Sequence, residues 1–157
     1  MEYFNGIYKG EWKNGSREGF GIFNYKNGDK YLGYWKNNLK EGNGRYIYAN
    51  GDIFDGNFKA GKKEGRGLMK YNNNNEYNKF FGEWKNDKKN GDGMIYYKNG
   101  ELLEGKWEDD ILNNDKVKYN YKNGDEYIGG FENNKRNGKG VMIYINKEIY
   151  NGDWNCL

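Results

Sequence analysis

The 157-residue sequence contains no proline, no histidine and one cysteine, Cys156. Without histidine, the chain cannot build a Ser-His-Asp or Cys-His nucleophile. With a single cysteine as well, it lacks the nitrogen and sulfur ligands that nearly all zinc sites require. One cysteine also cannot form an internal disulfide, which fits a reducing compartment.

Long apolar runs are missing too. The longest uninterrupted run is five residues, from Val141 to Ile145, whereas a membrane-spanning helix needs ~20. The start of the chain, Met1 to Gly6, shows no basic and apolar stretches of a signal peptide. The 26 basic and 23 acidic residues are spread along the chain and leave a net charge of +3, which argues against a nucleic-acid partner.

Glycine and aromatic residues are abundant instead. The chain has 25 Gly, 16 Tyr, 8 Phe and 5 Trp, although only 35% of its residues are hydrophobic. A mean hydropathy of −1.27 would fit disorder, but disordered chains are poor in aromatics and rich in proline. The composition therefore favours a fold whose core is built from rings.

A short pattern recurs along the whole chain. Tyr8, Gly10 and Trp12 form a Tyr-x-Gly-x-Trp motif that returns 23 residues later. The later copies are Tyr31/Gly33/Trp35, Phe54/Gly56/Phe58, Phe80/Gly82/Trp84, Leu103/Gly105/Trp107, Tyr127/Gly129/Phe131 and Tyr150/Gly152/Trp154. Such a period indicates a repeat architecture.

Each unit also carries a Gly-x-Gly, eleven residues after its first ring, and then a tyrosine. The glycine pairs are Gly19/Gly21, Gly42/Gly44, Gly65/Gly67, Gly91/Gly93 and Gly138/Gly140, and the tyrosines are Tyr25, Tyr48, Tyr71, Tyr97, Tyr121 and Tyr144. The fifth unit has Asp115, Lys116 and Val117 in place of its glycine pair, and the third has an asparagine-rich insertion over Asn72 to Asn75.

These positions predict one array over residues 1–157. Its units cover about 8–30, 31–53, 54–79, 80–102, 103–126 and 127–149, with partial units at 1–7 and 150–157.

The alternation in each unit predicts a β-hairpin. Small or aromatic residues alternate with charged ones from Tyr8 to Lys13, which is the period of a strand with one solvated face. Asn14-Gly15 then provides a hairpin turn, and we expect the second strand to run from about Gly19 to Tyr25. We attribute both glycines of each Gly-x-Gly to rings that lie over them. The fold class predicted is all-β: an elongated, single-layer antiparallel meander of ~23-residue hairpins.

Three other motifs have ordinary structural interpretations. Gly-x-Gly is not a phosphate cradle here, because a strand and not a helix follows Gly93. The Asp87–Asp92 segment lacks the ligand spacing of a calcium loop, and Asp109-Asp110 fits a solvated loop. Several lysines beside the turns could form a cationic ladder for lipid headgroups, although a solvated edge is favoured: Lys13, Lys36, Lys59, Lys62, Lys63, Lys85, Lys88 and Lys89.

The repeated motif resembles the MORN repeat (membrane occupation and recognition nexus), over about residues 3–157, and in particular all-repeat scaffold proteins of protozoan type. The family often has histidine just before the Gly-x-Gly. This chain instead has, in that place, Glu18, Glu41, Glu64, Asn90 and Asn137.

The resemblance implies a scaffold or interaction module with no catalytic, cofactor-binding or metal-binding residues. We expect protein partners, a homodimer joined through a terminal repeat at the edge formed by Tyr150, Gly152 and Trp154, and a cytoplasmic, cytoskeletal or peripheral-membrane location. Two alternatives remain open: an adaptor that binds acidic phospholipids, and a regulatory fragment of a lipid kinase or methyltransferase.

Overall fold

The chain folds into one antiparallel β-sheet, seen in a computed structural model that describes residues 2–3, 5–72, 76–133 and 135–155. The strands are β1 (Glu2–Tyr3), β2 (Gly6–Lys13), β3 (Ser16–Tyr25), β4 (Lys30–Lys36), β5 (Leu39–Ile47), β6 (Ile53–Lys59), β7 (Lys62–Lys70), β8 (Tyr77–Lys85), β9 (Lys88–Tyr97), β10 (Leu102–Glu108), β11 (Ile111–Leu112), β12 (Val117–Asn120), β13 (Glu126–Glu132), β14 (Lys135–Ile143) and β15 (Ile149–Trp154).

Neighbouring strands in the sheet are neighbours in sequence, except that β10 pairs with both β11 and β12. This order confirms the predicted all-β hairpin meander. The sequence interpretations that concern Cys156, the insertion at residues 73–75, and Met1 and Phe4 lie outside the described residues.

Two kinds of turn connect the strands, one at each edge of the sheet. At the first edge, Asn14 and Gly15 both have positive φ, 50° and 74°, as a two-residue hairpin turn requires. At the second edge, the carbonyl of Tyr25 accepts a bond from Gly28 and its amide donates to the carbonyl of Asp29. The Asp87 and Asp109-Asp110 segments also form hairpin turns of the first kind, with Asp87 at φ 73° and the aspartate pair at 50° and 73°.

The second glycine of each pair lies under a ring. Gly21 pairs with both Gly10 and Gly33 across the sheet, and this row of glycines continues through the array. The Tyr8 ring covers Gly21, where an added Cβ would collide with it. Tyr31 covers Gly44 and Phe54 covers Gly67 in the same way, so the absence of side chains leaves room for the core rings.

The first glycine of each pair has a different role, which corrects our expectation. Gly19 has φ +67°, and Gly42, Gly65, Gly91 and Gly138 have φ between +65° and +70°. This left-handed conformation strains residues with a Cβ, so the backbone and not a covering ring requires glycine here. The second strand also begins earlier than predicted, at Ser16 and not at Gly19.

The fifth unit keeps the sheet with a different packing solution. Its first position is Leu103, which has no ring to cover Gly105. Side-chain carbons of Leu112 and Val117 fill the space beside Gly105 instead. Val117 also replaces the usual glycine opposite Gly129, so three aliphatic side chains together replace one ring and its glycine.

Candidate interaction face

One face of the sheet carries a continuous aromatic row, which we call the aromatic face. Its buried members pair across successive strands, as Tyr8 with Phe23 and Phe23 with Tyr31. The buried rings of this face are Tyr8, Phe23, Tyr31, Trp35, Phe54, Phe58, Phe80, Trp84, Trp107, Tyr119, Tyr127 and Phe131.

Rings of consecutive units meet edge to face. The Tyr8 and Trp35 centroids lie 5.4 Å apart at 80°, and those of Phe54 and Trp84 lie 5.2 Å apart at 79°. The Trp84 indole N–H also donates to the carbonyl of Gly67 at 3.2 Å. Each unit therefore contributes its first ring to a core that the tryptophan or phenylalanine of the next unit completes.

A row of cations covers these rings. The sequence analysis did not identify these cations as one repeated series. Arg17 Cζ lies 4.3 Å from the Trp35 centroid, and Lys63 Nζ lies 4.3 Å from that of Trp84. The full series, which we call the cation row, is Arg17, Lys40, Lys63, Lys89 and Arg136. Long basic side chains can cover apolar surface with their stems, and here they take the place of a second layer.

The cation row corrects the prediction that Lys63 and Lys89 belong to a solvated edge. Burial lowers the pKa of both ammonium groups. The nearby carboxylates, Asp87 and Asp110 for Lys63 and Asp110 for Lys89, only partly offset this effect. The signal was present in the sequence, because each member lies two residues before its Gly-x-Gly. In the fifth unit, Leu112 pairs with Trp107 across the hairpin, as Lys40 pairs with Trp35 and Lys63 with Phe58.

Half-buried tyrosines run beside the cation row. Tyr46 and Tyr48 have centroids 4.6 Å apart, and Tyr97 and Tyr119 have centroids 5.6 Å apart. Burial raises the pKa of Tyr48 and of Tyr97 to about 12, and acidic neighbours add to the effect. The repeat tyrosines of this row are Tyr25, Tyr48, Tyr71, Tyr97 and Tyr121.

Two open cavities lie on this face near its C-terminal end. One, of about 490 Å³, is lined by Glu101, Tyr121, Arg136 and Trp154 among others. The other, of about 520 Å³, shares the first three of these residues and adds Met142. Here an aromatic wall, a carboxylate and a guanidinium are accessible together.

Carboxylates bind the turns of one unit to the next. Asp29 accepts bonds from the Tyr46 hydroxyl at 2.7 Å and the Ala49 amide at 2.8 Å. Burial alone would raise the pKa of Asp29, but these bonds and one from Asn27 outweigh it and lower the pKa. At the other edge, Glu18, which stands where the family often has histidine, accepts from the Asn37 amide at 2.9 Å.

The opposite face, which we call the outer face, is less covered. Phe20 and Tyr34 are 47% and 53% exposed, and their centroids lie 5.8 Å apart. Arg45 and Asp55 form a two-bond ion pair with N–O distances of 2.6 and 3.0 Å. These two charges already pair with each other across adjacent strands. The exposed side chains of the outer face are otherwise mostly scattered.

The repeat-defining residues occupy three structural positions. The first glycines of the pairs have the left-handed backbone described above. The glycines that pair with one another across the sheet are Gly10, Gly21, Gly33, Gly44, Gly56, Gly67, Gly82, Gly93, Gly105, Gly129, Gly140 and Gly152. The second ring of each motif is buried at Trp35, Phe58, Trp84, Trp107 and Phe131, whereas Trp12 is 38% exposed.

The predicted association edge lies on β15. Tyr150 is 47% exposed, and its ring covers Gly152. The Trp154 indole donates to the carbonyl of Gly140 at 3.2 Å. Among the described strands, β15 pairs with β14 alone. The described residues include no helix long and apolar enough to cross a bilayer.

A family model described as "MORN repeat" matches residues 8–30, 31–53, 54–76, 80–101 and 127–148. These segments cover most of the chain, which therefore belongs to the MORN-repeat family, a class of repeat-based interaction modules. No curated protein matched the sequence.

Two solved structures are similar to this chain. The TCP domain of Drosophila melanogaster SAS-4, in complex with a proline-rich motif of Ana2, is 17% identical, with a TM-score of 0.51 over 87% of this chain and 84% of that one. The TCP10 domain of Danio rerio CPAP, in complex with a STIL peptide, is 11% identical, with a TM-score of 0.41 over 91% of this chain and 67% of that one. The former shares the fold of the hairpin sheet.

Proposed function

We propose that the protein is a non-catalytic scaffold that binds extended segments of partner proteins on its aromatic face. The observation that carries this proposal is the row of half-buried tyrosines beside two open cavities. Aromatic grooves of this kind are typical binding surfaces for extended proline-rich peptides. Tyrosine supplies a large apolar surface and a hydroxyl that can bond to a peptide carbonyl.

The SAS-4 TCP domain supports the choice of ligand, because that similar sheet was solved with a proline-rich motif bound to it. An extended proline-rich chain has few unpaired amide donors, so it can lie against rings without leaving polar groups unsatisfied. We therefore propose a proline-rich segment as the first ligand to test.

The test measures binding of a neutral 12-residue peptide, PPQPPQPPQPPP, by fluorescence anisotropy. Tyr121→Ala removes a ring from both cavities and should weaken binding about tenfold, the scale of one aromatic contact. Tyr34→Ala removes an equally large ring from the outer face and should leave binding unchanged. An equal loss in both variants, or a wild type that binds no proline-rich peptide, would contradict the proposal.

We further propose self-association through β15, because this strand has one partner strand within the described part of the chain. Its Ile149 is 67% exposed and its Tyr150 47% exposed, and unpaired strand edges template association. Light scattering should then give a mass about twice the 18.5 kDa of one chain, returning to the monomer mass in Asn151→Pro, which blocks edge pairing. A monomeric wild type at high concentration rules this out.

A further inference from the structure

Three lysines of the cation row form an evenly spaced line on the aromatic face. Lys40, Lys63 and Lys89 lie on β5, β7 and β9, so consecutive members are two strands apart. Each ammonium group lies over rings, with Nζ 4.5 Å from the Tyr46 centroid for Lys40. In the described part of the chain, none of the three forms an ion pair with a carboxylate.

The spacing of these charges equals the pitch of a polyproline II helix. Two strand separations of ~4.8 Å place successive lysines ~9.6 Å apart. A polyproline II helix rises ~3.1 Å per residue with three residues per turn, so every third side chain recurs after ~9.3 Å. Over the two steps from Lys40 to Lys89, the mismatch accumulates to less than ~1 Å.

A row of rings runs parallel to the charges. Tyr48, Tyr71 and Tyr97 occur once in each of the same units and lie half-buried against the core. A polyproline II helix has three edges, so one can rest on these tyrosines while another faces the lysines. The aromatic face therefore repeats both its charges and its rings at nearly the interval at which a polyproline II helix repeats its side chains.

We infer that the aromatic face binds an acidic polyproline II segment with a carboxylate at every third residue, one for each of Lys40, Lys63 and Lys89. This inference rests on the proposed function and specifies its partner. A lysine partly desolvated by rings gains more from a carboxylate than a fully hydrated one does. It also explains why the fold keeps three ammonium groups on rings where, among the described residues, none forms a direct ion pair.

The second-edge turns favour a peptide over an anionic membrane. Their carboxylates form a negative rim beside the tyrosines, with Asp29, Asp52, Glu101 and Asp125 one to a turn. A flat anionic surface would have to approach this rim to reach the lysines, and like charges would repel it. A single extended chain can lie inside the rim, with its carboxylates turned toward the lysines.

The test compares two peptides of identical composition, PPEPPEPPEPPP and PPEPPPEPPPEP, which place three glutamates at intervals of three and four residues. Wild-type protein should bind the first at least about fivefold more tightly by anisotropy, since each misplaced ion pair loses up to ~1 kcal/mol. Lys63→Met keeps an apolar stem over the rings and should remove most of this preference. Lys63→Arg should retain it, and Lys70→Met, on the outer face of the same strand, should leave it unchanged.

Equal binding of the two acidic peptides overturns the inference, as does an equal loss in Lys63→Met and Lys70→Met. If the neutral PPQPPQPPQPPP peptide binds as well as the acidic ones, the inference fails while the proposed function stands. If no peptide binds, both fail. Vesicles containing phosphatidylserine test the membrane alternative. If the wild type sediments with them, Lys63→Met does not, and no peptide binds, the lysines belong to a membrane contact and the inference is overturned.

Discussion

Glycine has two separate uses in this sheet, and they are best seen one residue at a time. Gly67 lies under the Phe54 ring, where a Cβ would collide with it. Gly65, two residues earlier, has φ +70° and is required by the backbone. The sequence pattern predicted the rings over the later glycine correctly, but it could not separate the two uses, because both appear as the same letter.

Gly67→Ala should therefore lower the free energy of unfolding by about 2–3 kcal/mol, the cost of overpacking a rigid site. Gly100→Ala is the matched control, since its Cβ would meet nothing within 4 Å and only its φ of +94° is strained. The control should lose about 1 kcal/mol. Urea unfolding followed by tryptophan fluorescence measures both, and an equal loss would contradict the packing account.

The buried tyrosines predict how stability depends on alkaline pH. Burial raises the pKa of Tyr48 and Tyr97 from 10.0 to about 12. A raised folded-state pKa stabilises the fold fully below pH 10, and this contribution is lost as the pH rises from 10 through about 12. Burial lowers the pKa of Lys40, Lys63 and Lys89, so their contribution to the free energy of unfolding increases as the pH rises toward 10.5.

Because raised tyrosine pKa values outnumber lowered lysine ones, the urea midpoint should fall steeply above about pH 10. Phenolate absorbance recorded on the same samples should lag behind that of a tyrosine model compound and rise together with unfolding. Tyrosines that ionise near pH 10 while the sheet stays folded would show that the rings are not desolvated.

At the scale of the hairpin, successive units are joined by paired bonds between a turn and the strand before it. The amide of Lys63 donates to the Asp87 carboxylate at 2.8 Å, and the Asp87 amide donates to the Lys63 carbonyl at 3.1 Å. Lys89 and Asp110 repeat the arrangement, with distances of 2.8 and 3.0 Å. The sequence analysis gave both aspartate segments ordinary structural interpretations, but the partners of Asp87 and Asp110 are more than 20 residues away and no local pattern shows them.

Asp87→Ala should destabilise the array by about 1–2 kcal/mol, because it removes the acceptor for Lys63 and places a Cβ-bearing residue without a polar side chain at φ 73°. Asp87→Asn keeps both the acceptor and the tolerance of left-handed backbone, so it should be nearly neutral. Amide exchange should accelerate at Lys63 in the alanine variant only. Faster exchange in both variants would instead assign the effect to the lost charge.

The fifth hairpin shows how far a unit can depart from the motif. Leu103, Leu112 and Val117 replace a ring, a cation and a glycine, and side-chain carbons of Leu112 and Val117 fill the space beside Gly105. The loss of the Gly-x-Gly was evident in the sequence. The sequence did not show that the three changes compensate one another, because this compensation depends on contacts between strands.

At the scale of the whole molecule, a single sheet must bury its core without a second layer. Rings of one unit, the second ring of the next unit and the stems of the cation row together cover the aromatic face. Stability then comes from contacts between neighbouring units, as in other repeat proteins. The period and the ring positions made this fold predictable. Lys63 and Lys89 of the cation row were instead assigned to a solvated edge, because the environment of a lysine is set by the strands around it.

The central claim is that the aromatic face, and not the outer face, binds the partner. Methyl NMR of methionine tests it directly, since Met69 and Met142 lie buried on the aromatic face and Met94 lies on the outer face opposite Phe81 and Glu104. On titration with PPEPPEPPEPPP, we expect the Met69 and Met142 methyl signals to shift as the nearby rings move, while the Met94 signal stays in place. A shift of Met94 with Met69 and Met142 unchanged would contradict the account.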